Sequence, residues 1–215
     1  MMSNDPILKA LELLEQSFGY SAPPGFLENI AEYKELVSTW NDYASLISRK
    51  DLRETFSDHV ADSLSLVPYI GAHAKKGSVY VDIGTGGGFP AFPVKLFAPD
   101  LQCTLIERNA KKAAFIRKSI SALKLTNISL LEDSFSASLA VPQPFILTAR
   151  AIEKPSFILM ELGSIMRYPS VFLRQTGPTP PSLPPTLEAT PIEDVFDDVA
   201  LRRGRLSTVT AVSGS

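Results

Sequence analysis

The chain has 215 residues, 45% of them apolar, and a formal net charge of -2, which fits one domain with a helical extension and excludes a chain that is polybasic throughout. Its single cysteine, Cys103, excludes a disulfide framework and a cysteine-rich zinc site, so no metal is expected. No basic leader with an apolar core and no run near the ~20 apolar residues of a membrane span is present, so a cytoplasmic location without a membrane partner is expected.

In chain order, residues 5–18 form the first expected helix. Asp5 can cap it, Pro6 suits its first position, and Ile7, Leu8, Leu11, Leu14 and Phe18 recur on one face before Gly19. A second helix starts near Pro24 with Phe26, Ile30, Tyr33, Val37 and Trp40 in register. A third segment covers about 51–68 with Phe56, Val60, Leu64 and Val67. These stripes repeat with the packing period, which favours core over a binding platform. After Lys75-Lys76-Gly77 the pattern changes to short apolar runs alternating with helical ones. Strands are expected at Val79–Ile83, Gln102–Ile106, Ile128–Leu131, Phe145–Thr148 and Ser170–Leu173, with helices near 90–98, Ala110–Leu123 and Lys154–Met166. Such alternation makes a parallel sheet covered on both faces. Gly177–Pro191 is expected to be a loop, and about Asp194–Val199 and Leu206–Val212 a terminal antiparallel hairpin with Arg202, Arg203 and Arg205 at its tip.

The most informative segment is Val81-Asp82-Ile83-Gly84-Thr85-Gly86-Gly87-Gly88-Phe89-Pro90: an apolar strand ending in an acid, then four glycines in five positions. So little side chain suits a backbone that comes close to a ligand. A second acid, Glu107, closes the next strand, and acids at neighbouring strand ends are how an α/β sheet holds a nucleoside. The dinucleotide fingerprint fails, because its third glycine falls on Phe89 or Ala91, and the phosphate loop fails for want of Gly-Lys-Ser/Thr. What remains resembles the S-adenosylmethionine site of class I methyltransferases. Amides of Gly84, Gly86 and Gly88 can approach the cofactor, aided by the helix that follows; Glu107 can accept from both ribose hydroxyls; and Asp82 can orient the loop or the methionyl end. A sharp turn with no ligand is the competing reading, and it needs only one or two glycines.

The acceptor leaves weaker traces. Cys103 is mid-strand, which disfavours a cysteine nucleophile acting at a pyrimidine carbon. No Asn/Asp-Pro-Pro-aromatic turn follows the Phe145 strand, as methylation of an exocyclic amine would favour. Guanine N7 carries a lone pair and no proton, so alignment alone would serve and no general base is expected. Arg108, Lys111, Lys112, Arg117 and Lys118 crowd one helix, either as a solvated face or as phosphate contacts, Lys111 and Lys112 being the RNA candidates. His59, Asp62 and Ser63 remain open between a structural and a substrate role.

Several blocks together resemble the RsmG (GidB) family of bacterial 16S rRNA guanine-N7 methyltransferases: the glycine segment with Phe89-Pro90, Glu107 with Asn109-Ala110-Lys111-Lys112, Trp40-Asn41, His59 with Asp62-Ser63, Pro68-Tyr69, and Arg150-Ala151. The resemblance implies a Rossmann-like class I methyltransferase fold: a mostly parallel sheet with helices on both faces, a C-terminal antiparallel hairpin and an N-terminal helical extension. The expected division is an extension over 1–75 and a methyltransferase domain over 76–215. The resemblance implies S-adenosylmethionine as donor and 16S rRNA, or the small ribosomal subunit, as partner; a monomer is expected because no exposed apolar stripe is left over. Carried over by motif, Gly84 and Phe89 contact the cofactor, Glu107 is the ribose acid, Phe135 and Ser136 match the adenine-contacting pair, and Arg150 lies at the active-site edge touching cofactor and RNA. Arg174 falls where a lysine usually faces substrate, so Arg150 and Arg174 are the substrate-positioning candidates. The chain departs from the family at Ala91, Asp58 and Gln175. A methyltransferase with another acceptor, or a non-catalytic RNA-binding or assembly protein of the same fold, are the alternatives.

Overall fold

Strands whose residues are apolar on both sides belong in the middle of a sheet, and the central strands here are of that kind. The structure is a computed structural model that describes residues 5–139, 141–150, 155–167, 169–176, 182–192, 196 and 205–212. Among these, strands β1 (Val79–Ile83), β2 (Cys103–Ile106), β3 (Ile128–Leu131), β4 (Phe145–Ala149), β5 (Val171–Thr176), β6 (Leu187–Pro191) and β7 (Arg205–Ala211) form one sheet in the order β3-β2-β1-β4-β5-β7-β6. The first five strands pair in parallel, whereas β7 runs antiparallel to both β5 and β6.

The helices are α1 (Pro6–Phe18), α2 (Phe26–Ala44), α3 (Phe56–Leu64), α4 (Val67–His73), α5 (Ala91–Phe97), α6 (Ala110–Ala122) and α7 (Pro155–Ile165). Side-chain alternation divides the sheet into two faces. Tyr80, Cys103, Leu105, Ile146 and Leu173 join one apolar cluster with the first six helices, and Val81, Ile83, Phe145, Leu147 and Phe172 join another with Ile158, Leu159 and Leu162 of α7. The expected Rossmann-like sheet, covered on both faces and ending in antiparallel strands, is therefore what the chain forms.

Three expectations change in detail. The segment expected at 51–68 is broken into a π-helical turn at Asp51–Thr55, then α3, then α4. The stretch expected to be a loop up to Pro191 ends in β6, so the partner of β7 lies at Leu187–Pro191 rather than at Asp194–Val199. An edge strand tolerates Pro191, whose missing N–H lies on the side away from β7. Of residues 194–199 only Phe196 lies within the described part, where it is buried and stacked on Phe18.

Local capping explains how the helices before β1 are fixed. Asp5 accepts from the Ile7 amide to start α1, and Gly19, at φ 70°, ends it. The end of α2 is secured by a side chain. Asn41 Oδ1 accepts from the amides of Leu46 (2.9 Å) and Ile47 (3.0 Å), which folds the chain back over the sheet. Removing that oxygen strands two amides, one of them on a buried residue, at a cost of about 1–3 kcal/mol. Asn41→Ala is therefore expected to lower the unfolding free energy by that amount, seen as a lower urea midpoint with an unchanged slope.

Candidate active site

The pairing register fixes where the functional residues emerge. Ile83 pairs with Ile106 on one side and with Ala149 on the other. The next residues, Gly84, Glu107 and Arg150, therefore leave three adjacent parallel strands at the same level. The strand order also reverses between β1 and β4, and in open α/β sheets ligands bind at that reversal, beyond the carboxyl ends of the strands.

The four glycines of the loop divide into two pairs. Gly84 (φ 68°) and Gly86 (φ 56°) adopt left-handed backbone. A Cβ on Gly84 would enter open space, and one on Gly86 would meet nothing closer than the Gly84 carbonyl at 3.5 Å, with Lys112 Nζ at 4.0 Å. Gly87 and Gly88 instead face protein. A Cβ on Gly87 would lie 3.3 Å from the Leu46 carbonyl, and one on Gly88 (φ 92°) would lie 2.3 Å from the Phe92 ring and 2.9 Å from Tyr33 Oη. Tyr33 of α2 also donates to the Gly87 carbonyl at 2.5 Å. One half of the loop is bare towards the crevice, and the other is bare so that α2 and its following turn can close on it. Phe89 continues the second half, buried against Tyr33, Phe56 and His59.

The two acids sit in contrasting surroundings. Glu107 Oε2 accepts from the Gly86 amide (2.9 Å) and Oε1 from the Asn109 amide (2.8 Å), leaving each oxygen with a further lone pair. Asn109 then caps α6 by accepting from the amides of Lys111 and Lys112. Asp82 is fully buried. Its Oδ1 accepts from Thr148 Oγ1 at 2.7 Å; because that hydroxyl spends its proton there, Tyr80 Oη donates to Thr148 at 2.8 Å. Asp82 Oδ2 has no hydrogen-bond partner among the described residues. Burial pushes this carboxyl up to about 7, against the lowering effects of the Thr148 and Thr85 hydroxyls and the Arg150 charge, with Glu107 adding a smaller push upward. A buried, unsatisfied carboxylate oxygen beside a bare crevice suits a cationic ligand group, and a carboxylate with spare lone pairs at the next strand end suits a diol. Both features fit S-adenosylmethionine.

On the other side of the crevice Arg150 meets α3. Its Nη2 lies 2.6 Å from His59 Nδ1 and its Nη1 3.5 Å from Asp62 Oδ2. Ser63 is buried and donates to the His59 carbonyl, so its hydroxyl serves the helix. Phe135 is buried in the cluster that contains Ile83, Ile106 and α7. Ser136 Oγ pairs with Ser138 Oγ at 2.9 Å, and the Ala137 amide donates to Glu161. Lys111 Nζ sits 4.8 Å over the exposed Tyr43 ring, and Arg117 pairs with Glu132. Arg174 lies on β5 opposite Ser207 of β7; Ala151, Arg202 and Arg203 lie outside the described residues. Cys103 is buried in β2, where burial pushes its thiol up to about 12, so it offers no thiolate.

Sequence reasoning missed Tyr33, Tyr80 and Thr148 as parts of the site, and named Asn41 only within the Trp40-Asn41 block without its capping role. Tyr33 and Tyr80 read as apolar positions in a helix stripe and a strand. The available signal was their hydroxyls, since a buried tyrosine needs a partner. Among the described residues no helix is long and apolar enough to cross a membrane.

Comparison with known proteins agrees with this geometry. The family model described as rRNA small subunit methyltransferase G matches residues 26–174. The ribosomal RNA small subunit methyltransferase G of Xanthomonas axonopodis pv. citri is 35% identical over 161 residues, covering 74% of this chain and 73% of the relative. That of Stenotrophomonas maltophilia is 33% identical, covering 74% and 70%. The fold resembles the S-adenosylhomocysteine-bound methyltransferase of Podospora anserina, with a TM-score of 0.59 at 12% identity and coverage of 99% and 98%.

The Asp82 environment has a measurable sign. Its carboxyl titrates near 7 in the fold and near 4 in the unfolded chain, so the folded state keeps a proton that the unfolded chain releases. The stability this contributes is full below about pH 4 and is lost as pH rises through about 7. Between those limits the loss is on the order of 3–4 kcal/mol. Without donor, the urea midpoint of the wild type is expected to fall more from pH 4 to pH 8 than that of Asp82→Asn.

Proposed function

We infer the function from one premise: the chain belongs to the GidB family, rRNA small subunit methyltransferase G. It is a Rossmann-like, S-adenosylmethionine-dependent methyltransferase whose acceptor is RNA of the small ribosomal subunit. Within that activity we propose N7 of a guanine in 16S rRNA as the acceptor atom and a cytoplasmic monomer as the working form. We also propose residues 1–75 as a helical extension to a methyltransferase domain over 76–215. The observation that carries the reading is the shared level of Gly84, Glu107 and Arg150 at the strand-order reversal, with open space over Gly84.

The donor, when bound, supplies an electrophilic methyl group on a sulfonium. The chain's own contribution is positional. The amides of Gly84 and Gly86 give a backbone against which the donor can lie, while Gly88 and Phe89 set the shape of the loop. Glu107 holds the ribose hydroxyls, and Asp82 presents its free oxygen to the methionyl ammonium. Phe135 and Ser136 border the adenine. Arg150, Arg174, Lys111 and Lys112 hold the RNA, the last two through phosphates. Guanine N7 has no proton to lose, so no side chain has to act as a base. Holding the lone pair in line with the methyl group is worth about 7–11 kcal/mol of the barrier.

Mass mapping of small-subunit rRNA from cells with and without the protein tests the acceptor. One guanine is expected to lose a methyl group, together with the chain cleavage specific to N7-methylguanine. The loop is tested by Gly84→Asp, which forces a side chain into left-handed backbone and into the crevice. Calorimetric titration of this variant is expected to show no donor binding while its circular dichroism stays that of the wild type.

A further inference from the structure

We propose that His59 is the positioning residue for Arg150: as a neutral imidazole it accepts a hydrogen bond from the guanidinium and aims it at the RNA acceptor, which rests on the acceptor role given to Arg150 above. Arg150 is the first residue beyond β4, so its backbone lies where the sheet no longer fixes direction. Its long side chain therefore needs an external hold. That hold comes from α3, 91 residues earlier in the chain, through the 2.6 Å contact between His59 Nδ1 and Arg150 Nη2.

The chemistry of the pair fixes the state of the histidine. A guanidinium only donates and stays protonated at any working pH, so the nitrogen facing it must be the acceptor. His59 is then neutral, with its proton on Nε2, the side that faces Asp51 Oδ2 at 4.0 Å. Asp62, three residues on and so on the same face of α3, meets the guanidinium at Nη1. The two side chains make a two-point hold. Of these three groups the guanidinium and Asp62 balance each other in charge, whereas a second carboxylate in place of the imidazole would make the set net negative and repel phosphate. The His59 ring also lies 5.5 Å from that of Phe89, so the same imidazole touches the glycine loop and the arginine. Donor loop and acceptor edge are thereby referenced to one side chain.

A simple tie between helix and sheet would act on stability. Positioning acts on the reaction with RNA and leaves donor binding alone. His59→Asn keeps an acceptor oxygen where Nδ1 stood, and His59→Phe keeps a ring without an acceptor. Expected are kcat/KM for small-subunit RNA within about 3-fold of wild type for His59→Asn and a loss of about 10²-fold for His59→Phe, the cost of a small misalignment. Donor affinity by calorimetry should be unchanged in His59→Phe, which keeps a ring against Phe89. The tautomer is read independently from long-range proton–nitrogen spectra of the imidazoles. The chain has only 2 histidines, and His73→Gln identifies the other signal. Wild-type His59 should show an unprotonated Nδ1 and a protonated Nε2. The proposal is overturned by a protonated Nδ1, by full activity in His59→Phe, or by His59→Asn being as impaired as His59→Phe. Should His59→Phe not fold, His59→Asn and the wild-type spectrum decide. If the wild type methylates no small-subunit RNA, the functional reading fails and the positioning role falls with it; if the wild type is active and the variants behave otherwise, only the positioning role falls.

Discussion

The carboxylate of Glu107 is the contact on which the site depends. It closes β2, accepts from Gly86 in the glycine loop and from Asn109 at the start of α6, and so joins a strand, a loop and a helix through two hydrogen bonds. Backbone amides at a strand-to-helix turn have no ladder partner, and an ionised acceptor satisfies them more strongly than a neutral one. The loop can then remain bare of side chains on its crevice side without collapsing. The same acid keeps lone pairs for a ribose, so the group that builds the crevice is also the one suited to fill it.

A second layer of restraint comes from the helices that precede the sheet. Asn41 folds the 45–47 turn, the Leu46 carbonyl seats against Gly87, and Tyr33 donates to the Gly87 carbonyl. Phe89, Phe92 and Phe56 pack around Tyr33. The helices therefore act on the loop's rear while Glu107 acts on its front. Further along the same wall, His59 and Asp62 reach Arg150 at the end of β4. The acceptor side of the crevice is thus assembled from two distant parts of the chain, and its donor side rests on the ends of β1 and β2 with the helices behind the loop.

This division explains what the sequence revealed. The five parallel strands were legible because runs such as Val79–Ile83 and Phe145–Ala149 are mostly apolar and β-forming, and α6 because Asn109 announces its cap. Asp82, Gly84 and Glu107 stood out because they lie at ends of such runs. The purpose of Gly87 and Gly88 was not legible, since packing against Leu46 and Phe92 leaves the same glycine in the string as a ligand would. Nor was the contact between His59 and Arg150, because periodicity reports on one element and this pair spans two. At the other end, β6 escaped notice because proline-rich surroundings and Pro191 carry a loop signature, and only its place at the sheet edge makes that composition tolerable.

The strand order carries a consequence for how the molecule is made. Because β7 lies between β5 and β6, β6 emerges during synthesis with no strand to pair with and must wait for a segment made later. The parallel core through β4, which already holds Asp82, Glu107 and Arg150, can close before either arrives. During that interval β5 presents an unpaired edge to whatever surrounds the growing chain. The residues of the donor crevice are thus complete in the growing chain before the strands that seal the sheet.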